Sequence, residues 1–399
     1  MKKRFVIFLQ PGHAVYGTLP LFSHFLGEQL ERRGAEVSYI ESMPAEDTYA
    51  PALMEQIHLG IDAALAFNAI GQQETSSEGR NVWDLLGVPF FNYILDHPFV
   101  HHDNMISEFR NHHVICVDRD HVAYIKRYYP HIPHAHFLPI GGMPYRGGNT
   151  GGYGERIFEV SFTGSYVPLS VFGESIQSLS ENRKKMAWSM VEYLLSNRTA
   201  SFDHALEALL KNQGFETVSP EMIVSCAPEL RFANAYVRMY LREELIRTVA
   251  GSGMPLHIFG QGWELMKDVS WNRSVLHGSV DYMETARVAA QSKVMLCDCA
   301  CFRNGLHDRV TTALLNGAAV VTDANTFIRE QFLTDGNDQE IAGYDVTDPE
   351  HVPDLINELL SDAIRSEKIA IRGRAKAAER YTWEHTAEYV LSTLMLCVA

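Results

Sequence analysis

Apolar and polar residues alternate in two rhythms along the first third of the chain. Short apolar runs recur there, each typical of a strand buried on both faces: FVIFLQ, EVSYIE, DAALAFN, VPFFNYIL and HVICVD. Helical stretches lie between them, such as TLPLFSHFLGEQLERRG, which closes with Gly34. Its apolar stripe consists of Leu19, Phe22, Phe25, Leu26 and Leu30. This alternation predicts an α/β domain with a parallel sheet covered by helices on both faces.

A glycine-rich segment, GGMPYRGGNTGGYG at 141–154, predicts a linker to a second domain of the same kind. After the strand-like run IFEVSFTGSY, the chain is helical until MPLHIFG, which predicts a helical insertion at about 167–253. Strand-like runs then resume with SVLHG, KVMLCDC and GAAVVTDAN. We therefore expect domains at 1–150 and 151–380, and a final helix over 381–399 that can return to the first domain. Ligands of two such domains bind at the carboxyl ends of the strands, so we expect the domains to face a cleft.

The composition of the chain argues against several classes of protein. The 399 residues contain 34 Lys and Arg against 49 Asp and Glu, a net charge of −15, which argues against a broad surface for nucleic acid. The apolar run after MKKR is too short for a spanning helix, and no later run is long enough, so we expect a cytoplasmic protein without a transmembrane segment. The CDCACF run spaces cysteines by two, which favours buried thiols over a zinc site.

The stretch FRNGLHDRVTTALLNG places a glycine and a histidine at the start of a helix that follows a strand. Gly305, His307 and Arg309 surround this helix start, where unpaired N–H groups favour an anion such as a diphosphate. In the alternative interpretation Asp308 merely caps the helix and Arg309 is solvated. The spacing alone fits both interpretations.

Two further loops follow strands of the second domain. HIFGQGW runs into Gly260, Gln261 and Gly262, a turn where a ligand can approach the backbone closely, although such a turn is more often only a turn. VTDAN ends another strand in small polar residues. Three such loops in one domain indicate a ligand site more strongly than any one of them.

These residues carry a family resemblance over about 156–395. The succession GQGW, HGSVDY, SKVMLCDC, GLHDR, LLNGAAVVTDAN, FIREQF and YTWEHTAEYVLSTL resembles the carboxyl-terminal domain of GT-B glycosyltransferases, especially the bacterial spore-maturation CgeB-like group. The resemblance implies a GT-B fold of two Rossmann-like domains that uses a nucleoside-diphosphate sugar as co-substrate and no further cofactor. It places Gly260, Gln261 and Gly262 by the nucleotide and Gly305 to Arg309 by the diphosphate. Asp323, Asn325 and Thr326 would lie by the sugar or ribose.

One departure from the wider class concerns stereochemistry. Many retaining members carry Glu-x7-Glu in this region, and here those positions hold Asn304 and Thr312. Neither side chain is a carboxylate, so an inverting transfer is slightly favoured. His307 resembles the Gly-His helix start with which some GT-B transferases hold the diphosphate.

The acceptor side is expected in the first domain. His13 in LQPGHAVYG follows the first strand, and Asp96 and His97 in LDHP end another. An imidazole or carboxylate there suits a general base that takes the acceptor proton. A turn-forming Asp96 and a packed His97 fit equally well. Walker and G-x-G-x-x-G motifs are absent from the sequence, which disfavours an ATPase or a simple dehydrogenase.

Nine of the eighteen histidines lie between 97 and 136. Adjacent histidines on one element point apart, so pairs such as His101 and His102 are poor chelates and we expect no metal. The prediction is therefore a metal-independent, hexosyltransferase-type enzyme acting on a glycan, protein or small-molecule acceptor. A nucleotide-sugar epimerase of the same fold, a catalytically silent scaffold and a two-domain solute-binding protein are the alternatives.

Overall fold

The computed structural model describes residues 2–9, 17–41, 49–147, 151–299 and 302–394. The chain divides into two compact units. Unit 1 comprises Met1–Gly141 and Trp383–Ala399, and unit 2 comprises Gly142–Thr382. No helix in the described ranges is long and apolar enough to cross a membrane.

Unit 1 is built on six parallel strands in the order β2-β1-β3-β4-β5-β6. The strands are β1 (Arg4–Leu9), β2 (Glu36–Glu41), β3 (Ala63–Phe67), β4 (Phe90–Ile94), β5 (His112–Cys116) and β6 (His134–Phe137). The helices are α1 (Thr18–Arg32), α2 (Tyr49–Leu59), α3 (Val82–Leu86), α4 (His102–Met105) and α5 (Arg119–Tyr128). The central strands are buried along their whole length because helices cover both faces, as their largely apolar sequences predict.

A segment from the far end of the sequence completes unit 1. Helix α15 (Trp383–Tyr389) continues into a π-helical turn, Val390–Leu394, and packs on α1. The ring of Trp383 lies 5.2 Å from that of Phe22, 5.9 Å from Phe25 and 6.3 Å from Phe67. With 5% of its surface exposed, Trp383 belongs to the core of unit 1.

Unit 2 is a second sheet of six parallel strands, in the order β12-β11-β10-β7-β8-β9. The strands are β7 (Phe158–Thr163), β8 (Leu256–Phe259), β9 (Val275–Gly278), β10 (Ser292–Leu296), β11 (Ala319–Asp323) and β12 (Ala342–Tyr344). The helices that follow β9 are α10 (Tyr282–Ala290), α11 (Asp308–Leu315), α12 (Thr326–Gln331), α13 (Val352–Ser361) and α14 (Ala363–Arg380). The predicted α/β class is confirmed.

Four helices between β7 and β8 form the predicted helical insertion, which is also confirmed. They are α6 (Leu169–Gln177), α7 (Glu181–Ser196), α8 (Phe202–Asn212) and α9 (Pro220–Gly251). Helix α9 contacts α6, α7, α8 and α13, so the insertion packs on unit 2 through its longest helix.

The start of the glycine-rich segment is held on α11. The backbone N–H of Met143 donates to Thr312 Oγ1 at 3.1 Å, and that of Tyr145 donates to Asn316 Oδ1 at 2.7 Å. Asn316 Nδ2 donates in return to the Met143 carbonyl at 2.9 Å. Polar side chains of α11 therefore bind the backbone where the chain enters unit 2.

Candidate active site

The strand order of unit 2 creates a crevice at the carboxyl edge of its sheet. The chain passes from β7 to β8 and β9 on one side, and later returns to the other side of β7 with β10, β11 and β12. Connections therefore leave in opposite directions from the ends of β7 and β10. Such a switch point is where open α/β sheets bind ligands. Gly164 and Ser165 follow β7, and Cys297 to Cys299 follow β10.

His307 is the N-cap of α11, close in sequence to the end of β10. Its Nδ1 lies 2.7 Å from Asp308 Oδ1 and 3.2 Å from the backbone nitrogen of Arg309. One ring nitrogen cannot donate to the first and accept from the second, and the shorter contact to a carboxylate is the stronger. Nδ1 therefore carries the proton and Nε2 the lone pair of the neutral ring. Tyr282 donates its hydroxyl to Asp308 Oδ2 at 2.8 Å and fixes the carboxylate.

The protonation of this pair follows from its burial. Burial lowers the pKa of His307 below its ordinary value, although Asp308 acts in the opposite direction. Burial alone would raise the pKa of Asp308, but His307, Arg309 and Tyr282 hold it at about 2. The site therefore contains a carboxylate and an oriented neutral imidazole at pH 7. His307 occupies the N-cap position and Asp308 is the first residue of α11, so the interpretation in which Asp308 merely caps the helix is wrong.

Arg309 is not solvated either, since its side chain is 12% exposed. Its Nη1 donates to the Asp298 carbonyl at 3.1 Å and also to Asp298 Oδ1. Arg242 of α9 donates to Oδ2 of the same carboxylate from Nε at 2.8 Å. Burial would raise the pKa of Asp298, but the two guanidiniums hold it well below its ordinary value. The sequence analysis missed Asp298 and Arg242 because their contact joins positions 56 residues apart.

The structure shows why glycine is required in the GQGW loop, which the sequence alone did not reveal. A Cβ on Gly260 would lie 2.1 Å from the carbonyl oxygen of Gly164, and one on Gly262 would lie 2.1 Å from that of Tyr166. Gly262 also has a φ of 90°, which favours glycine. The close approach at these positions is thus to the loop after β7. Gln261 joins the same contact, since its backbone N–H donates to Ser165 Oγ at 3.1 Å.

Asp323 ends β11 and is buried. Its Oδ1 accepts from the backbone N–H of Cys299 at 2.5 Å. Burial raises the pKa of Asp323 to about 6, against the effect of that hydrogen bond. The carboxyl group therefore connects the ends of β10 and β11. The sequence resemblance places Asp323 by the sugar or ribose and does not predict this contact.

Asn325 connects the neighbouring loop to α11. It caps α12 by accepting from Ile328 N–H at 3.0 Å, and its Nδ2 donates to the Gly305 carbonyl at 2.9 Å. The backbone N–H of Thr326 donates to the Arg303 carbonyl at 3.1 Å. The predicted donor residues Gly305, Asn325 and Thr326 therefore lie together, and the contacts described here join them to the protein itself.

In unit 1, His97 is the N-cap of a 3-10 turn, Pro98–His101. Its Nδ1 accepts from Phe99 N–H at 3.3 Å, and its ring centroid lies 4.6 Å from those of His121 and Tyr124. Burial, reinforced by His121, lowers the pKa of His97 well below its ordinary value. The ring is therefore neutral, with the proton on Nε2. Asp96 directly precedes it and is partly buried.

The loop after β3 lies at the switch point of unit 1, between β1 and β3. His13 follows β1 in the sequence and lies outside the described residues. After β3, Asn68 and Ala69 both have positive φ, 55° and 68°. The Ala69 N–H donates to Asn92 Oδ1 at 2.8 Å, and Asn68 Oδ1 accepts from Leu95 N–H at 3.0 Å. Strained backbone of this kind is often found at functional sites. No feature of the sequence predicts that an alanine adopts a positive φ here.

The histidine-rich region forms stacked pairs. His112 stacks on Phe109 with centroids 4.4 Å apart, and neither of its ring nitrogens has a hydrogen-bond partner. His113 Nδ1 lies 3.3 Å from His136 Nε2. Within the described ranges, no group of three or more His, Cys, Asp or Glu residues is arranged to hold a metal ion.

Comparison with known proteins agrees with this architecture. Residues 239–392 match a family model described as glycosyl transferase-like. Among solved structures, a sucrose-phosphate synthase from Thermosynechococcus elongatus is 11% identical with a TM-score of 0.52, and all of both chains is covered. An α-glucosyltransferase in complex with UDP-glucose and DNA is 13% identical with a TM-score of 0.53, again over all of both chains. The fold is that of the GT-B glycosyltransferases.

A third GT-B structure, Anabaena HepE in complex with UDP and glucose, is 11% identical with a TM-score of 0.50, covering 98% of this chain and 99% of that one. No curated protein matches the chain. The part matched by the family model includes Arg242, Asp298, His307 and Arg309. The buried charges at the carboxyl edge of unit 2 therefore lie in the part of the chain that the glycosyl transferase-like family model matches.

Proposed function

We propose that the protein is a glycosyltransferase that moves a sugar from a nucleoside-diphosphate sugar to a hydroxyl of a glycan, protein or small molecule. The match over residues 239–392 and the GT-B fold support the reaction class. UDP is the first nucleotide to consider, since HepE binds UDP and the α-glucosyltransferase binds UDP-glucose. The resemblance to CgeB-like proteins stays a prediction.

The observation that carries the proposal is the oriented His307 at the start of α11. Asp308 holds Nδ1, so Nε2 is the nitrogen that can meet a ligand oxygen. A diphosphate leaving group gains negative charge as the glycosidic bond breaks, and an imidazole that takes up a proton stabilises it. The first turn of the helix adds its dipole, and the nearby Arg309 adds a fixed positive charge.

No metal is required by this arrangement, and we propose a metal-independent transfer. Inversion is favoured because Asn304 and Thr312 replace the two glutamates of many retaining enzymes. The hydroxyl of Thr312 accepts from the Met143 N–H, which gives this residue a structural contact.

The base that takes the acceptor proton is proposed to be Asp96 or His97, with His13 as the remaining candidate. The Nδ1 of His97 already accepts from Phe99 N–H. The ring can therefore take up a proton at Nδ1 only after that hydrogen bond breaks, or at Nε2 only after Nε2 has lost its own proton. Asp96 needs no such change. Asp96→Asn should therefore lower kcat more than His97→Gln while both retain donor binding.

Isothermal titration with UDP, GDP and their sugar conjugates tests donor binding directly. We expect the wild type to bind one nucleotide family and His307→Asn, which places a side chain favoured at the N-cap position, to bind it about tenfold more weakly, the effect of one charge-assisted hydrogen bond. His351→Asn is the matched control, since His351 is exposed on the same unit.

The products then identify the reaction. Release of free nucleoside diphosphate together with a glycosylated acceptor supports the proposal. An altered nucleotide-sugar with its diphosphate intact indicates an epimerase, and binding without turnover indicates a scaffold. Absence of nucleotide binding by the wild type at millimolar concentration would refute the donor assignment.

A further inference from the structure

The loop after β3 begins with two residues in the left-handed region of backbone conformation. Asn68 and Ala69 have φ of 55° and 68°, and in the described part of the chain they are the two residues other than glycine with a positive φ. Asparagine tolerates this conformation because its short polar side chain can form a local hydrogen bond, whereas alanine gains none. The surrounding structure therefore holds the backbone at Ala69 against its local preference.

Asn68 contacts the end of β4 twice. Its backbone N–H donates to the Tyr93 carbonyl at 3.1 Å. Its side-chain Oδ1 accepts from the Leu95 N–H at 3.0 Å. Asn68 thereby fixes the peptide groups on both sides of Ile94, directly before Asp96.

A buried chain of amides holds the residues that follow Asp96. The Ala69 N–H donates to Asn92 Oδ1 at 2.8 Å, and Asn92 Nδ2 donates to Gln72 Oε1 at 2.9 Å. Gln72 Nε2 then donates to the carbonyl of Asn104 in α4 at 2.6 Å. Both amide side chains of this chain, Asn92 and Gln72, are fully buried. The loop after β3 therefore holds the sequence on both sides of Asp96.

These features lower the stability of the folded protein. A central strand buried on both faces ordinarily carries apolar side chains, and β4 includes Asn92. An alanine with a positive φ is a second unfavourable feature. Local violations of this kind persist where the geometry of a segment is required for function. The segment held here contains Asp96 and His97, the two described candidates for the base.

We propose that Asn68 is a positioning residue for Asp96 as the general base. In the transfer, the acceptor oxygen bonds to the anomeric carbon while the bond from that carbon to the diphosphate breaks, and its electron pair leaves with the diphosphate. The acceptor proton passes to the Asp96 carboxylate. Proton transfer requires hydrogen-bonding distance, so a small displacement of the chain at Leu95 lowers the rate without weakening donor binding. This inference rests on the proposed function, in which Asp96 is a candidate base.

Two variants of Asn68 isolate the side-chain contact. Asn68→Gly keeps the freedom to adopt a positive φ and removes the acceptor for the Leu95 N–H. Asn68→Asp is isosteric and keeps an acceptor oxygen. Asn111→Gly is the matched control, because Asn111 precedes β5 at the amino edge of the same sheet and its Nδ2 donates to the Trp83 carbonyl at 3.3 Å.

The assay measures the release of nucleoside diphosphate from UDP-glucose and GDP-mannose, with water and simple sugars as acceptors and with thermal unfolding to verify folding. We expect Asn68→Gly to lower kcat about tenfold or more and to change the donor KM less than about twofold, since a positioned base contributes roughly 10²–10⁴-fold. Asn68→Asp should keep most of the wild-type kcat, and Asn111→Gly should match the wild type. In the Asp96→Asn background, Asn68→Gly should lower kcat no further, because both changes act on one group.

The outcomes separate the two proposals. If the wild type releases no diphosphate from either donor, the transferase assignment and the role of Asn68 fail together. If the wild type is active, three results would each refute the role of Asn68 while the transferase assignment stands. They are a wild-type kcat in folded Asn68→Gly, an equal loss of kcat in Asn68→Asp, and a further loss when Asn68→Gly is added to Asp96→Asn.

A purely structural role of Asn68 would lower the melting temperature and leave the kcat of the folded variant unchanged. Should Asn68→Gly fail to fold, Asn68→Ser takes its place, because the serine oxygen lies one bond nearer the backbone and is too short to keep the contact with the Leu95 N–H. A wild-type kcat in folded Asn68→Ser would then overturn the inference.

Discussion

His112 makes unit 1 sensitive to acid. Its ring is buried on β5, lies against Phe109, and has no hydrogen-bond partner on either nitrogen. Burial, with a smaller contribution from His131, lowers its pKa from 6.5 to about 3. Above pH 6.5 the ring is neutral in the folded and unfolded states. Between pH 6.5 and 3 only the unfolded state takes up the proton, so stability is lost as the pH falls.

The size of the effect follows from the shift in pKa. A shift from 6.5 to about 3 is about 3.5 pH units, which sets a maximum loss of about 5 kcal/mol. The slope cannot exceed about 1.4 kcal/mol per pH unit for one histidine. Replacement of His112 by Phe keeps the ring contact and removes the titrating group. Between pH 6.5 and 4.5 the variant should therefore lose up to about 2.7 kcal/mol less than the wild type.

Hydrogen exchange of the β5 amides is the suitable assay, because it reports the opening free energy of unit 1 separately from that of unit 2. The slope against pH is compared within each protein, so any overpacking by the larger ring does not enter the result. His58→Phe, at an exposed position of α2, is the control and should keep the wild-type slope. An unchanged slope in His112→Phe would show that the buried ring does not determine the acid sensitivity.

Two further predictions concern unit 2. Gly260→Ala should destabilise unit 2 by about 1–3 kcal/mol, since the added Cβ would lie 2.1 Å from the Gly164 carbonyl oxygen. In the control Gly154→Ala the added Cβ meets no atom within 4 Å, so this variant should be nearly as stable as the wild type. Equal melting temperatures of the two variants would contradict the prediction. Nucleotide binding should strengthen as the pH falls from 8 to 6, because His307 is neutral at pH 7 and takes up a proton beside the diphosphate. Titration calorimetry in buffers of different ionisation enthalpy measures that uptake, which should be absent from His307→Asn.

The spacing of apolar residues along the sequence was sufficient to predict the fold class. It placed most strands within two residues of their observed bounds, because strands buried on both faces read as apolar runs. Strand β6 was missed, since its sequence HAHF alternates polar and apolar residues and all four are only half-buried. Such an edge strand is determined by pairing with β5 rather than by its own composition.

The candidate site was predictable only where its residues are close in sequence. His307, Asp308 and Arg309 follow one another, and the helix start was therefore recognised. The residues that surround them with charge, Arg242 and Asp298, were not recognised, because they meet only through tertiary packing of α9 on the sheet. The loop glycines were recognised as special, but their close approach to the backbone after β7 is a tertiary property as well.

The division of the chain has a consequence for synthesis on the ribosome. The first 141 residues of unit 1 emerge before unit 2, while Trp383, which packs against Phe22, Phe25 and Phe67, emerges roughly 240 residues later. At about 5–20 residues per second, the nascent unit lacks this ring for roughly 10–50 seconds. During that interval the apolar side of α1 that contacts Trp383 lacks its cover, so unit 1 completes its core only after all of unit 2 has been synthesised.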